Sequence, residues 1–274
     1  MKRLSVLAAG LVLLALVQVL APGVRGGAQS DLPPSNRSFR VDGVDRTALI
    51  FHPDSAQASK TPAPVVFFFH GHGGRAQGAA RRFRIHTLWP GAIVVYMQGL
   101  PGVQGITDPQ GLKPGWQKMP GELGDRDLKF VDAVLERLQK EYRTDPNRVY
   151  AIGHSNGGRF VNVLWKTRGD KFAAFCSASG QGGRLLEGVT PKPIFIIAGE
   201  RDPLVPFQSQ SYSVDLVRKV LQSDQTKAKV DGYARSERGI NGTELMTYIH
   251  PGGHEFPQDA LPMIVSFFQR HTRH

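Results

Sequence analysis

The chain has 274 residues, 41 % of them hydrophobic and 9 % aromatic, with a formal net charge of +11. That is enough apolar material for one large core and excludes bulk disorder. The basic residues are scattered, with no aromatic ladder or nucleic-acid motif between them, so the charge reads as a solvated surface and no nucleic-acid partner is expected.

The first residues read as an export signal. Lys2 and Arg3 precede an apolar run from Leu4 to Leu20, and Gly26-Gly27-Ala28 offers small residues for cleavage after Ala28. Cleavage removes three positive charges and no negative one. The expectation is a signal peptide over residues 1–28, a single catalytic domain over 29–274, and a secreted or periplasmic protein without stable membrane insertion. The alternative for the leader is an uncleaved anchor, for which the apolar run is slightly short. Cys176 is the only cysteine, so no internal disulfide can form, and its small and apolar neighbours predict a buried thiol.

"RSFRVDGVDRTALIFHP" predicts a hairpin around Asp42-Gly43. "APVVFFFH" (Ala63–His70) and "GAIVVYMQ" (Gly91–Gln98) are continuous apolar runs, the signature of strands buried on both faces. "AQGAARRFRIHTLW" between them predicts one helix. A glycine- and proline-rich stretch from Gly99 to Gly124 has no period, and a loop of that length is usually functional or mobile. "DLKFVDAVLERLQKEYR" places Phe130, Val131, Val134, Leu135 and Leu138 on one helical face. "DPNRVYAIG" predicts a turn and a third buried strand, and "RFVNVLWK" a helix. "FAAFCSAS", "KPIFIIAG" and "TELMTYI" predict further strands, and "DALPMIVSFFQRH" a closing helix. Strands alternating with helices predict crossover units and a mostly parallel sheet covered on both faces, with functional groups in loops at the strands' carboxyl ends.

"VYAIGHSNGGRFVN" (Val149–Asn162) puts Ser155 between glycines where a strand gives way to a helix. The bare pattern Gly-x-Ser-x-Gly would arise by chance about 0.2 times in a chain of this composition, so its context decides. On a tight strand–turn–helix connection the hydroxyl projects above the sheet and the next amide, that of Asn156, points into the same space. The competing role for such a serine is a helix N-cap.

A nucleophilic serine needs a histidine base, and that base needs a carboxylate, in the chain order Ser, acid, His. His254, beyond the glycines of "YIHPGGHEFP", is preferred to His250, which ends a strand. In "PIFIIAGERDPLVPF" Asp202, held extended or in a turn before Pro203, is preferred to Glu200; Asp215 reads as a helix-surface residue and Asp231 as opening or capping a strand. The turn "HGHGG" after the first buried strand supplies a second oxyanion donor, the amide of His72 or of Gly73, to join Asn156. A metal site at His70 and His72 is the alternative for that turn, but no further ligand stands at fixed spacing, and no metal or cofactor is expected. His154 should point away from Ser155.

"FFFHGHGG", "DPNRVYAIGHSNGG", "IIAGERDPLVPF", "HPGGHEFP" and "DLKFVDAVLERL" resemble the secreted esterases grouped with feruloyl and acetylxylan esterases and polyhydroxybutyrate depolymerases, over roughly residues 38–272. The resemblance implies an α/β-hydrolase fold and a Ser-Asp-His ester hydrolase with Ser155, Asp202 and His254 as triad and His72 and Asn156 as oxyanion donors. The implied substrate is an ester, small or polymeric, such as a plant polysaccharide ester or a polyester. Family members often have a cysteine where this chain has His72. Trp116 falls where such enzymes place an aromatic near the acyl or leaving group, and anchoring the loop in the core is the alternative. Two other functions stay open: a serine peptidase of the same fold, and a non-catalytic envelope- or polyanion-binding protein.

Overall fold

The computed structural model describes residues 34–53 and 61–273. The signal-peptide reading for residues 1–28 lies outside the described residues. Among the described residues, no helix is long and apolar enough to cross a membrane.

Strands β1 (Ser35–Val41) and β2 (Val44–Phe51) form the expected hairpin. Asp42 and Gly43 both have positive φ, 47° and 77°, the backbone whose twist matches that of the flanking strands. β3 (Ala63–Phe69) and β4 (Ile93–Met97) are buried throughout. The helix predicted between them is two pieces, α1 (Ala76–Phe83) and α2 (Ile85–Leu88). Arg84 adopts φ 44°, ψ 38° and closes α1 through its amide to the Ala80 carbonyl, and this left-handed residue turns the chain where periodicity alone would continue it.

α3 (Arg126–Glu141) buries the predicted face. β5 (Thr144–His154) starts earlier than expected. It pairs with β3 at Thr144 and again from Val149, so the "DPNR" turn is a bulge inside the ladder. α4 (Asn156–Arg168), β6 (Ala174–Ala178), β7 (Ile194–Gly199), α5 (Phe207–Leu221), the edge strands β8 (Lys229–Asp231) and β9 (Ala234–Arg238), β10 (Glu244–His250) and α6 (Ala260–Gln269) follow.

The strands form one ten-stranded sheet in the order β1-β2-β4-β3-β5-β6-β7-β10-β9-β8. From β4 to β10 neighbours run parallel, and the outer pairs are antiparallel. Alternation along β3 explains the two-layered core. Val65, Phe67 and Phe69 pack with α3, α4 and α5 on one face, whereas Val66 and Phe68 pack with α1, α2 and α6 on the other. A run with period two and apolar residues in both phases can only sit between two layers of helix. Each fully buried phenylalanine contributes about 1.5–3 kcal/mol. Cys176 lies in this core, and burial pushes its thiol pKa up.

Candidate active site

The carboxyl ends of β3, β5, β7 and β10 bring together the loops that carry the expected residues. Gly153 and Gly157 are required by close approach. A Cβ on Gly153 would lie 2.0 Å from the Gly157 carbonyl oxygen, and one on Gly157 2.2 Å from that of Phe69. This lets the chain reverse between β5 and α4 with Ser155 at φ 58°, ψ −119°. Such a backbone costs on the order of 1–3 kcal/mol in a non-glycine residue and persists because its surroundings fix it. Here the Ser155 amide donates to the Ala178 carbonyl at 2.8 Å and the Arg159 amide to the Ser155 carbonyl at 2.9 Å. Ser155 occupies the N-cap position of α4, yet its side chain makes no capping bond. Its Oγ instead stands 2.7 Å from His254 Nε2.

His254 Nδ1 lies 2.7 Å from Asp202 Oδ2. The loops bearing these two residues interlock: a Cβ on Gly199 would fall 2.0 Å from the Gly253 carbonyl oxygen, and the Arg201 amide donates to the Gly252 carbonyl at 2.9 Å. Asp202 is buried, and all its acceptor sites are engaged. Oδ1 accepts from the Leu204 and Val205 amides at 2.8 and 2.9 Å, and Oδ2 also accepts from Gln210 Nε2 at 3.0 Å. Burial pushes the carboxyl pKa up, but the Val205, His254 and Leu204 hydrogen bonds outweigh it and the net shift is downward, which keeps Asp202 ionised. A charged Asp202 requires a proton on His254 Nδ1 and leaves Nε2 free to accept from Ser155.

The turn after β3 reaches the nucleophile, since a Cβ on Gly71 would lie 3.4 Å from Ser155 Cβ. The choice between His72 and Gly73 is decided by hydrogen bonding. The Gly73 amide donates to the Pro114 carbonyl at 2.7 Å, whereas the His72 and Asn156 amides have no acceptor among the described residues. The Asn156 side chain is itself engaged: Oδ1 accepts from the Trp116 amide at 2.7 Å and Nδ2 donates to the Trp116 carbonyl at 2.9 Å.

Trp116 does not line the cleft. It is 0 % exposed, packs edge-on to Phe69 and parallel to Phe160, and donates its Nε1–H to the His70 carbonyl at 2.9 Å. The substrate contact expected of it is replaced by loop anchoring, because a large apolar ring with one donor finds both needs met beneath the loop. His70 is structural too. Its Nε2 accepts from the Gly99 amide at 3.0 Å and its Nδ1–H donates to the Gly71 carbonyl at 2.7 Å, and burial lowers its pKa to about 4. His250 is buried at the end of β10, where its Nδ1 accepts from the Gly252 amide at 3.2 Å, and Glu200 is exposed. Asp215 pairs with Arg218 on the surface of α5, and Asp231 ends an exposed edge strand.

Two site residues, Asp108 and Gln210, escape sequence reasoning, and a third, His154, takes a role beside the base. Asp108 holds His72 Nε2 at 2.9 Å and accepts from the Leu112 and Lys113 amides, fastening the long loop to the His72 turn. Gln210, fully buried on α5, completes the Asp202 cage. His154 leans on His254 with ring centroids 5.2 Å apart and makes no hydrogen bond to Ser155; burial, then the nearby His254, lowers its pKa to about 4 and keeps it neutral beside the base. For Asp108 and Gln210 the only signals in the sequence were the Asp-Pro turn and a glutamine that shares a helix face with Val214, Val217 and Leu221.

A parallel sheet flanked by helices, with a serine on a tight strand–helix turn and an acid and a histidine on later loops, is the α/β-hydrolase fold. The comparisons narrow this. A model of the prolyl oligopeptidase family matches residues 115–182, which include the nucleophile turn. The putative esterase NocK of Nocardia uniformis is 30 % identical over 188 residues, 66 % of this chain and 52 % of the relative. The probable feruloyl esterase C of Aspergillus niger is 27 % identical over 63 % of this chain and 60 % of its own length. A bifunctional acetylxylan esterase/xylanase of Neocallimastix patriciarum is 31 % identical over 62 % of this chain and 23 % of its own length. The chain thus spans between about a quarter and three fifths of these relatives. Among solved structures, an acetyl xylan esterase from Aspergillus awamori superposes with a TM-score of 0.66 at 15 % identity, covering 86 % of this chain and 99 % of its own. A ferulic acid esterase does so at 0.64 and 15 %, covering 86 % and 97 %. The likeness to feruloyl and acetylxylan esterases read from the motifs is borne out by these relatives.

Proposed function

We propose that the chain is a serine carboxylic-ester hydrolase in which Ser155, His254 and Asp202 form the catalytic triad. The observation that carries this reading is the unbroken relay of two 2.7 Å contacts, Ser155 Oγ to His254 Nε2 and His254 Nδ1 to Asp202 Oδ2, beside two uncommitted amides.

Ser155 Oγ attacks the ester carbonyl carbon while His254 Nε2 takes its proton. The carbonyl oxygen becomes an oxyanion and accepts from the His72 and Asn156 amides. Collapse expels the alcohol, which leaves with the proton from His254. Water then gives a proton to His254 and attacks the acyl-serine, and breakdown releases the acid and restores Ser155. Asp202 holds the imidazole in its Nδ1–H tautomer and stabilises its charged form throughout. Feruloyl and acetylxylan esters are the first substrates to try, on the strength of the named relatives. Residues 29–274 are read as one catalytic unit of a secreted or periplasmic protein, from the signal-like composition of residues 1–28.

Ser155→Ala is expected to lower turnover of a short aryl acetate by about 10⁴-fold or more and to abolish labelling by a fluorophosphonate probe. Wild-type rates in this variant would refute the assignment. A peptidase reading is favoured by the prolyl oligopeptidase family match. Matched ester and peptide anilide substrates separate the two, with the ester expected to be faster.

A further inference from the structure

Ser155 stands where two clefts meet. One, of about 450 Å³, is lined by His254, His154, Phe83 and the cations Arg75 and Arg82. The other, of about 420 Å³, is lined by Asn156, Gly180, Gln181 and the cations Lys118 and Arg159. Ile106 and Val205 border both, and no Asp or Glu lines either.

The base assigns an occupant to each. His254 must hand its proton to the departing oxygen, so the alcohol part of the ester lies in the cleft that contains His254. The acyl part is left with the second cleft, which Arg159 lines. Arg37, Arg46, Arg168, Arg218 and Arg235 each face a carboxylate within 3.0 Å, whereas the half-buried Arg126 reaches one only at 3.9 Å. Arg159 has none within ion-pair distance among the described residues. Its Nε donates to the Lys118 carbonyl at 3.2 Å, its Nη2 lies 3.7 Å from Met119 Sδ, and its Nη1 has no partner among the described residues. Burial lowers its pKa, and Glu122, which accepts from the Lys118 and Met119 amides and lies beyond ion-pair distance, offsets this only in part. It is fixed by two loop contacts beside the nucleophile, four residues along the chain and hence about 6 Å along the helix axis.

We propose that Arg159 is a specificity-determining residue that receives a carboxylate on the acyl group, and that the preferred substrates are half-esters of short dicarboxylic acids. A planar guanidinium with a free edge is matched to a carboxylate, and Arg159 and Ser155 line the same cleft. This rests on the serine-esterase reading above.

The test compares, on the full chain, monomethyl glutarate with methyl valerate, which differ by the acyl carboxylate, and O-acetylglycolate with propyl acetate, which differ by a carboxylate on the alcohol. Hydrolysis is followed by proton release. The wild type is expected to prefer monomethyl glutarate over methyl valerate at least fivefold in kcat/KM, with a smaller ratio in 0.5 M salt. Arg159→Met should reduce that ratio tenfold or more and Arg159→Lys less so. A ratio taken within one variant is insensitive to how much of it is folded. A wild-type ratio at or below one, an unchanged ratio in Arg159→Met, or a larger preference in the O-acetylglycolate pair would overturn the proposal. A neutral aryl acetate run alongside distinguishes the two levels: if the wild type hydrolyses it without any glutarate preference, only the carboxylate assignment fails, and if it hydrolyses none of the esters, the esterase reading fails first.

Discussion

Replacing Asp202 by asparagine should convert the relay into one that cannot accept a proton, and the hydrogen bonds around it say how. Oδ1 faces two backbone donors, the Leu204 and Val205 amides at 2.8 and 2.9 Å. An asparagine NH₂ turned toward them would set donors against donors and forfeit two hydrogen bonds, each worth about 1 kcal/mol. The amide oxygen therefore stays there, and the NH₂ takes the place of Oδ2, 2.7 Å from His254 Nδ1 and 3.0 Å from Gln210 Nε2. His254 must now accept at Nδ1 and carry its proton on Nε2, where it points at Ser155 Oγ as a donor. The imidazolium formed during attack also loses its counter-charge. Together these should lower kcat by about 10⁴-fold, or about 5.5 kcal/mol of transition-state stabilisation. The assay is steady-state hydrolysis of a short aryl acetate by Asp202→Asn, with circular dichroism and Tm to establish that the variant is folded. Glu200→Gln, at an exposed position two residues away, should stay within about twofold of the wild type. A folded Asp202→Asn within tenfold of wild-type kcat, or an equal loss in Glu200→Gln, would refute the assignment of the carboxylate.

Three further outcomes follow from the same contacts. Trp116→Leu should lower stability by about 2–4 kcal/mol while leaving KM for small esters within about twofold, because the ring fills core and not cleft; a large KM change at unaltered Tm would contradict this. Asp108→Ala releases His72 and two loop amides, so kcat should fall about 10- to 100-fold as the oxyanion donor loses its support, and an unchanged kcat would remove Asp108 from the positioning network. His70 is neutral down to about pH 4 when folded and titrates near 6.5 when unfolded. Between those values the unfolded chain binds a proton that the native one does not. Stability should therefore fall with pH across 6.5 to 4, by up to about 3 kcal/mol from this group, with His154 acting in the same direction. A Tm that is flat over that interval would refute it.

How much of this was legible in the sequence depended on range. Apolar runs such as Ala63–Phe69 revealed the buried strands because both faces of the sheet are covered, which suppresses the usual alternation. The helix 126–141 was visible through its apolar stripe. The break at Arg84 was not, because a left-handed residue that is not glycine leaves no mark in composition. Likewise, "DPNR" carries turn chemistry whether it ends a strand or bulges from one, and only pairing with β3 decides.

At the site, the sequence by itself determined the chemical parts and their order: a serine between glycines at a strand–helix junction, an acid before a proline after one strand, and a histidine beyond glycines after another. Those are local features, and local sterics make them readable. Only the tertiary structure decided that the His72 amide is free while that of Gly73 is engaged, that Trp116 faces the core, and that Arg159 has no carboxylate within ion-pair distance among the described residues. Each of these is a contact between segments roughly 40 residues apart, set by which loop lies over which strand end. No single stretch of chain carries that information, because a hydrogen-bond partner or a counter-charge is a property of neighbours in space.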